Sequence, residues 1–150
     1  MNDEAFTTLH RHWVWCQVIK ENYDRELHFR RGEIGLTSER WELLATRYGA
    51  FKSLWYGLLF SILETLEKNK VVIGGIEEEI SSVYKPLKRY RHAVFHPQPK
   101  YWSEKLFEIS KDKNSAKKIL KVHEALRGYF CEELSKRKPA PGSTYQYEMI

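Results

Sequence analysis

The sequence predicts an all-α protein, a bundle of four or five antiparallel helices. Apolar residues recur at three- and four-residue steps along most of the 150-residue chain. No segment shows convincing period-two alternation of the kind that marks a strand. Glycine and proline cluster between the periodic segments, where helices end. The length suits one domain with its own core, which we expect to cover residues 1–136, with 137–150 as a loosely ordered tail.

The first predicted helix covers residues 3–29. Its apolar side chains share one face, with Lys20 as the only interruption, so that face should pack on a core. Gly32 and Gly35 follow, and two glycines so close together disfavour a continuation of the helix. The apolar stripe consists of Phe6, Leu9, Trp13, Cys16, Tyr23 and Leu27.

The second predicted helix, residues 38–68, has the strongest pattern. Ser38 can cap its first turn, where Glu39 places a favourable negative charge. Its apolar face is unusually wide, which implies contact on more than one side, in a bundle core or in a dimer. Gly49 and Gly57 weaken the helix or allow a neighbour to approach closely. The aromatic stripe Trp41, Tyr48, Phe51 and Trp55 is expected to belong to the core or to a dimer interface.

Three shorter helices are predicted after the loop at residues 69–75. The third extends from Ile76 to Val94. Pro86 lies inside it and should kink or split it near Tyr84 and Lys85, because proline lacks an amide hydrogen. Pro97 ends it. A short fourth helix follows, and a fifth is capped by Asn114 or Ser115. The apolar positions of these two are Trp102, Leu106 and Ile109, then Ile119, His123, Leu126, Phe130 and Leu134.

Positive charge is concentrated in two blocks of the chain, which has a formal net charge of +5. Residues 85–105 contain six basic residues and one acidic residue. Residues 111–138 contain nine basic and four acidic residues. A locally basic surface attracts polyanions, of which nucleic acid is the commonest. A solvated basic face without a partner is the alternative.

Several classes of protein do not fit the sequence. Cys16 and Cys131 are the only cysteines, so there is no short cysteine spacing for metal or redox chemistry. The polar, acidic start of the chain does not resemble a signal peptide. The longest apolar stretch is too short and interrupted to cross a membrane. We therefore expect a cytoplasmic protein with reduced thiols and no membrane partner.

The segment from Tyr90 to Pro97 carries the residues best suited to chemistry. Arg91 and His96 are five positions apart and would diverge on a regular helix. However, His96 precedes Pro97, and a residue before proline is driven out of the α region. His96 can therefore turn away from the helix end, toward the side that Arg91 occupies.

Arginine and histidine together suit cleavage of RNA. Histidine gives and takes a proton near neutral pH, at the 2′-hydroxyl or at the leaving oxygen. The arginine guanidinium offers forked donors for phosphate and can stabilise charge on the phosphorus oxygens. No metal or other cofactor is needed when the nucleophile is the 2′-hydroxyl of the RNA. The sequence therefore predicts Arg91 and His96 as catalytic residues.

The segment Arg91-His92-Ala93-Val94-Phe95-His96 resembles the motif of the HEPN superfamily, in which four to six residues separate an arginine from a histidine. Arg89 and His96, with six residues between them, also satisfy the looser form, so Arg89 is a reserve candidate. The residue after the arginine is typically polar in that family, often asparagine, and here it is His92. The resemblance covers this motif and the number of helices.

The resemblance implies an HEPN-like bundle that acts as a metal-independent endoribonuclease, often a toxin or an antiviral element. It also implies a homodimer whose two motifs form one composite cleft, and an antitoxin or other regulatory protein as a further partner. One branch has a tyrosine two places after the histidine, where this chain has Gln98. His92 would support the site, Lys88, Arg89 and Lys100 would contact the RNA backbone, and Tyr101 could stack on a base.

Two other functions stay open. Some members of the superfamily bind without catalysing, so the chain could be a helical module for RNA, a nucleotide or a partner protein. A metal-dependent hydrolase is also conceivable, since His92 and His96 are spaced like two ligands on one helix face. However, Ala93 stands where the zinc-protease pattern has its glutamate, and no third ligand is evident. His10, His12 and Cys16 form a looser cluster in which Cys16 fits the core.

Overall fold

The computed structural model describes residues 1–30, 47–96 and 103–137. Within these ranges it contains five helices and no strand, which confirms the prediction of an all-α helical bundle. The helices are α1 (Asp3–Arg30), α2 (Arg47–Lys68), α3 (Glu77–Phe95), α4 (Glu104–Lys111) and α5 (Ser115–Lys136).

α1 packs antiparallel against α2, as side-chain contacts at both ends show. Near the start of α2, the hydroxyl oxygens of Tyr23 and Tyr48 are 3.0 Å apart. Further along, the Cys16 sulfur lies 3.9 Å from the backbone carbonyl oxygen of Trp55. The residue number therefore rises along α2 as it falls along α1, which places the wide apolar face of α2 against the stripe of α1.

α3 returns along α2 in the opposite direction. The hydroxyls of Ser53 and Tyr90 are 3.0 Å apart. Further along α2, the ring of Phe60 packs on that of Tyr84, which comes earlier in α3. The turn between the helices uses left-handed backbone at Gly75, with φ of 83°, a conformation open to glycine without strain. As a result the end of α3 lies beside the first half of α2.

The core is built from the apolar faces of all five helices and centres on Trp55. Its indole N–H donates to Nδ1 of His123, 3.2 Å away, and Nε2 of His123 lies 3.0 Å from the side-chain oxygen of Gln17. His123 is 1% exposed, and its ring lies 4.7 Å from that of Trp13 between centroids, with the planes inclined by 43°. The largest fully buried apolar side chains are Trp55, Tyr90, Phe60, Phe130, Leu9, Leu59, Ile62, Leu87, Ile119, Leu126 and Val83.

Of the two outcomes predicted for Pro86, a kink or a split, the split is wrong, because α3 is continuous from Glu77 to Phe95. Val83 and Leu87, on either side of the proline, are buried in the core at 2% and 0% exposure. Packing of both halves on the same core offsets the hydrogen bond that proline cannot donate. Asn114 precedes the first residue of α5, but its side chain makes no capping hydrogen bond.

Two boundaries of the predicted domain meet in space. Arg137, where the predicted tail begins, places its guanidinium carbon 3.9 Å from the ring centroid of Phe6 and forms an ion pair with Asp3. It thereby ties the end of α5 to the start of α1. Residues 138–150 and Trp41 lie outside the described residues. No helix in the described part of the chain is long and apolar enough to span a membrane.

Candidate functional site

The end of α3 brings the predicted catalytic segment to the surface. His96 caps the helix with extended backbone, φ −124° and ψ 129°, as expected for a residue before proline. Its amide N–H still donates to the carbonyl oxygen of His92, 3.1 Å away. The side chain of His96 is exposed, so its imidazole can meet a substrate.

The imidazole rings of His92 and His96 form a pair. Their centroids are 4.7 Å apart and their planes are inclined by 49°. Desolvation, then the positive charges of Lys105 and His96, hold the pKa of His92 below its ordinary value. A neutral ring at position 92 adds no positive charge beside His96 near neutral pH, which suits a group that must exchange protons.

Arg91 turns toward α2. Its guanidinium carbon lies 5.7 Å from the ring centroid of Phe60, and one terminal nitrogen lies 3.8 Å from Oε2 of Glu64. The side chain is 42% exposed, so donors remain open to solvent. The ring of Phe60 and the carboxylate of Glu64 hold the guanidinium at the α2–α3 edge, one residue before the histidine pair.

Phe95 lies between these groups and packs on Gly57 of α2. A methyl group built on Gly57 would come within 2.4 Å of the Phe95 ring, so the absence of a side chain at position 57 creates the space that the ring fills. The ring is still 49% exposed. The sequence indicated that Gly57 could admit a close neighbour, and the structure identifies that neighbour as a residue of the motif.

The other candidate RNA contacts are placed differently. Arg89, the reserve for the motif arginine, pairs with Glu108 of α4, with Nε 2.8 Å from one carboxylate oxygen and a terminal nitrogen 3.3 Å from the other. Its guanidinium therefore joins two helices, whereas Lys88 is exposed. Lys100 and Tyr101 lie outside the described residues.

Some neighbours of the site were not predicted. Glu64 and Phe60 come from α2, and no local pattern links them with Arg91. Lys105 of α4 is close enough to lower the pKa of His92, although the sequence showed it only as a member of a basic block. Lys85 could have been found by spacing, since it precedes Lys88 by three residues and stands on the same exposed side of α3.

The possible metal ligands His92 and His96 lie side by side, but no third ligand joins them in the described residues. These residues contain no group of three or more His, Cys, Asp or Glu side chains that could hold a metal ion. His10 lies near the rings of Phe6 and Phe130. Cys16 is buried in the core as expected, and burial raises the pKa of its thiol.

Comparisons of the chain with protein-family models, with curated proteins and with solved structures give no match.

Proposed function

We propose that this protein is a metal-independent endoribonuclease of the HEPN type. The observation that supports the proposal best is the exposed pair of imidazoles at the end of α3, next to an arginine that α2 orients. A proton-transfer group and a phosphate-binding group thus occupy the same helix end, which is the minimum that cleavage of RNA requires. A role as a toxin or antiviral element belongs to the same proposal.

The reaction is an attack of the RNA on its own backbone. His96 takes the proton of the 2′-hydroxyl while the 2′-oxygen forms a bond to phosphorus. Arg91 donates hydrogen bonds to the two non-bridging oxygens, where negative charge accumulates. The bond from phosphorus to the 5′-oxygen breaks, and this oxygen takes a proton from a second histidine. The products are a 2′,3′-cyclic phosphate and a free 5′-hydroxyl.

The second histidine comes from a second copy of the chain. In a homodimer, two motifs facing each other supply one His96 as base and the other as acid, and two arginines for the phosphate. His92 of the same protomer is a supporting group: its lowered pKa keeps its ring neutral, so it adds no positive charge beside His96. The composite cleft therefore needs an apolar surface beside the end of α3.

We infer such a surface from exposed apolar side chains on α1, α2 and α3. His12 and Thr65 line the same surface hollow, which fixes how the two helices lie side by side. From His12, Trp15 follows on the same side of α1, and from Thr65, Leu54 follows on the same side of α2. Trp15 and Leu54 are 50% and 38% exposed, and Phe95, which lies against Gly57 one turn from Leu54 and precedes His96, is 49% exposed. We infer that these side chains form the apolar patch of the dimer.

The chemistry is tested with an RNA that carries a single 2′-deoxynucleotide. Wild-type protein in the presence of a chelator should cut the all-ribose strand and leave a cyclic phosphate end, which mass spectrometry identifies. The strand with deoxyribose at the scissile position should resist, because it lacks the nucleophile. Equal cleavage of both strands, or a 5′-phosphate product, would show that this mechanism is wrong.

The dimer is tested by placing a charge on the apolar patch. Leu54→Lys should convert a dimer to a monomer in analytical ultracentrifugation at micromolar concentration and abolish cleavage. Leu120→Lys is the matched control, since Leu120 is similarly exposed, at 41%, but lies on α5. A wild-type monomer that cleaves RNA would contradict the composite site.

A non-catalytic RNA-binding module is the second candidate. It is favoured by the contact of Arg91 with Glu64, because a carboxylate 3.8 Å from the guanidinium engages a donor that transition-state stabilisation would need. The exposed Lys85 and Lys88 could bind the RNA backbone without Arg91. Unchanged RNA binding without cleavage, in a dimeric wild-type protein, would support this candidate instead of the ribonuclease.

A further inference from the structure

A cleft of about 520 Å³ opens near the start of α3, between the last turns of α2 and the loop that follows. Leu63, Leu66, Val72 and Ile80 give it mostly apolar walls, and Val72 is 73% exposed. Sites of about 300–1,000 Å³ with apolar walls and a few fixed polar groups are typical for small organic ligands. The cleft is therefore large enough for a planar heterocycle.

The polar side chains that line the cleft are Glu67, Lys70, Glu77, Ser81, Tyr84 and Lys85. Tyr84 and Glu67 are joined to each other by a hydrogen bond. The Tyr84 hydroxyl donates a hydrogen bond to Oε2 of Glu67. Burial, and then the Glu67 carboxylate, raises the pKa of Tyr84 to about 12, so this hydroxyl keeps its proton. Oε1 of Glu67 stays available as an acceptor at the wall of the cleft. A ligand that carries N–H donors would pair with it.

A line of exposed side chains joins the cleft to the candidate active site. Ser81 and Lys85 line the cleft. From them, Lys88 and His92 follow along α3 at steps of three or four residues, so these four side chains stand on one side of the helix. The ring of His96 continues the line beside that of His92, and all five residues are exposed. Neither Lys85 nor Lys88 has an ion-pair partner in the described parts of the chain. Both ammonium groups are open to phosphates.

We propose that the cleft binds one unpaired base of an RNA strand whose backbone follows Lys85 and Lys88 toward His96. This proposal depends on the proposed function in one respect only, which is that RNA is the ligand. An apolar cleft binds the face of any base, and lysines beside it hold the phosphates of a single strand. The cleft is thus a base subsite remote from the scissile bond.

Glu67 gives this subsite a preference. Adenine, cytosine and guanine each present an exocyclic amino group that can donate to the free carboxylate oxygen. Uracil flanks its single N–H with two carbonyl oxygens, which a carboxylate repels. We expect bases with an amino group to bind more tightly than uracil, and Glu67→Gln to remove most of the difference.

The position of the bound base follows from the helix. Lys85 and His96 are eleven positions apart, which is about 16 Å at a rise of about 1.5 Å per residue. A stacked strand advances about 3.4 Å per nucleotide, so the base lies within about five nucleotides of the scissile phosphate. The pair of lysines covers the phosphates between the two points.

The test uses an uncleavable RNA, with 2′-deoxyribose at the scissile nucleotide, and replaces one base at a time by an abasic residue. Wild-type protein should lose about 10-fold in affinity at one position within this range, the loss expected for one stacked base. Ser81→Phe should fill the cleft and weaken binding of the intact strand to a similar extent. In this variant the affinity should no longer depend on the position of the abasic residue. Ser82→Phe is the matched control, because Ser82 is exposed on the same helix but does not line the cleft.

The outcomes separate the subsite from the ribonuclease. A flat abasic series in the wild type, or a Ser81→Phe variant that binds like the Ser82→Phe control, would overturn the subsite even if RNA is cleaved. A position-specific loss that Ser81→Phe removes would establish the subsite even if no RNA is ever cleaved. Absence of RNA binding by the dimeric wild type would overturn both proposals.

Discussion

The imidazole rings of His92 and His96 lie 4.7 Å apart, between centroids, at the exposed end of α3. One helical turn separates the two residues, and the backbone of His96 leaves the helix while its ring stays beside that of His92. Positive charge on the His96 ring disfavours a proton on His92 and contributes, after desolvation and Lys105, to the lowered pKa of His92.

The coupling predicts how the first ring responds when the second is removed. His96→Ala should raise the pKa of His92, because one source of positive charge disappears. The pKa should stay below its ordinary value, because desolvation and Lys105 remain. NMR titration of the His92 Cε1 proton measures both effects. A His92 pKa that falls or does not move in the variant would contradict the coupling.

Gly57 and Gly128 form a matched pair of helical glycines. A methyl group at position 128 meets nothing within 4 Å, so Gly128→Ala should stabilise the protein by about 0.5–1 kcal/mol through helix propensity. Gly57→Ala should gain less, because the Phe95 ring must move away. The same movement should lower RNA cleavage, whereas Gly128→Ala cleaves normally. Urea unfolding measures the change in the free energy of unfolding, and a cleavage assay measures the change in the rate of RNA cleavage.

A larger gain in stability for Gly57→Ala than for Gly128→Ala would show that the Phe95 ring does not depend on the space at position 57.

Arg89 and Arg91 compete as the arginine of the motif, and the structure predicts which one acts. Arg89→Gln should lower the free energy of unfolding by less than about 1 kcal/mol, because the lost pair with Glu108 is partly exposed to solvent. Glu108→Gln should have the same effect. Neither change should reduce cleavage, whereas Arg91→Gln should. A cleavage rate that depends on Arg89 and not on Arg91 would reverse the assignment.

Buried His123 predicts a pH dependence of stability. Burial, and then Lys20 and Arg127, lowers its pKa from 6.5 to about 4. As the pH falls, the unfolded chain therefore takes up a proton before the folded one. The stabilisation from the neutral ring is complete above about pH 6.5 and is lost toward pH 4, by about 3 kcal/mol in total.

The measurement is urea unfolding of the wild type and of His123→Gln between pH 4 and pH 7. Glutamine can still accept from Trp55 and donate to Gln17, but it does not titrate. The free energy of unfolding should fall less steeply with acidification in the variant. Equal slopes in the two proteins would show that His123 is not the source of the dependence.

The sequence predicted those features of the fold and site that local rules determine. The apolar stripe of α1 predicted the bounds of the helix to within one residue. Pro97 predicted that the backbone of His96 leaves the helical conformation. The split predicted at Pro86 is wrong, because a local rule for proline carries no information about the core that holds both halves of α3. Local rules also could not predict the register of α3 on α2. Thus Glu64 beside Arg91, and Gly57 beneath Phe95, emerged only from the packed helices.

The most direct test of the account is cleavage of a mixed-sequence RNA, with chelator present, by the wild type, Arg91→Ala and His96→Ala, with circular dichroism to confirm folding. Loss of a general acid–base group or of a charge-stabilising donor typically costs at least about 100-fold in rate. We predict cleavage by the wild type and a loss of at least this size in each variant. Equal cleavage by all three proteins would place the activity elsewhere and contradict the assignment of Arg91 and His96.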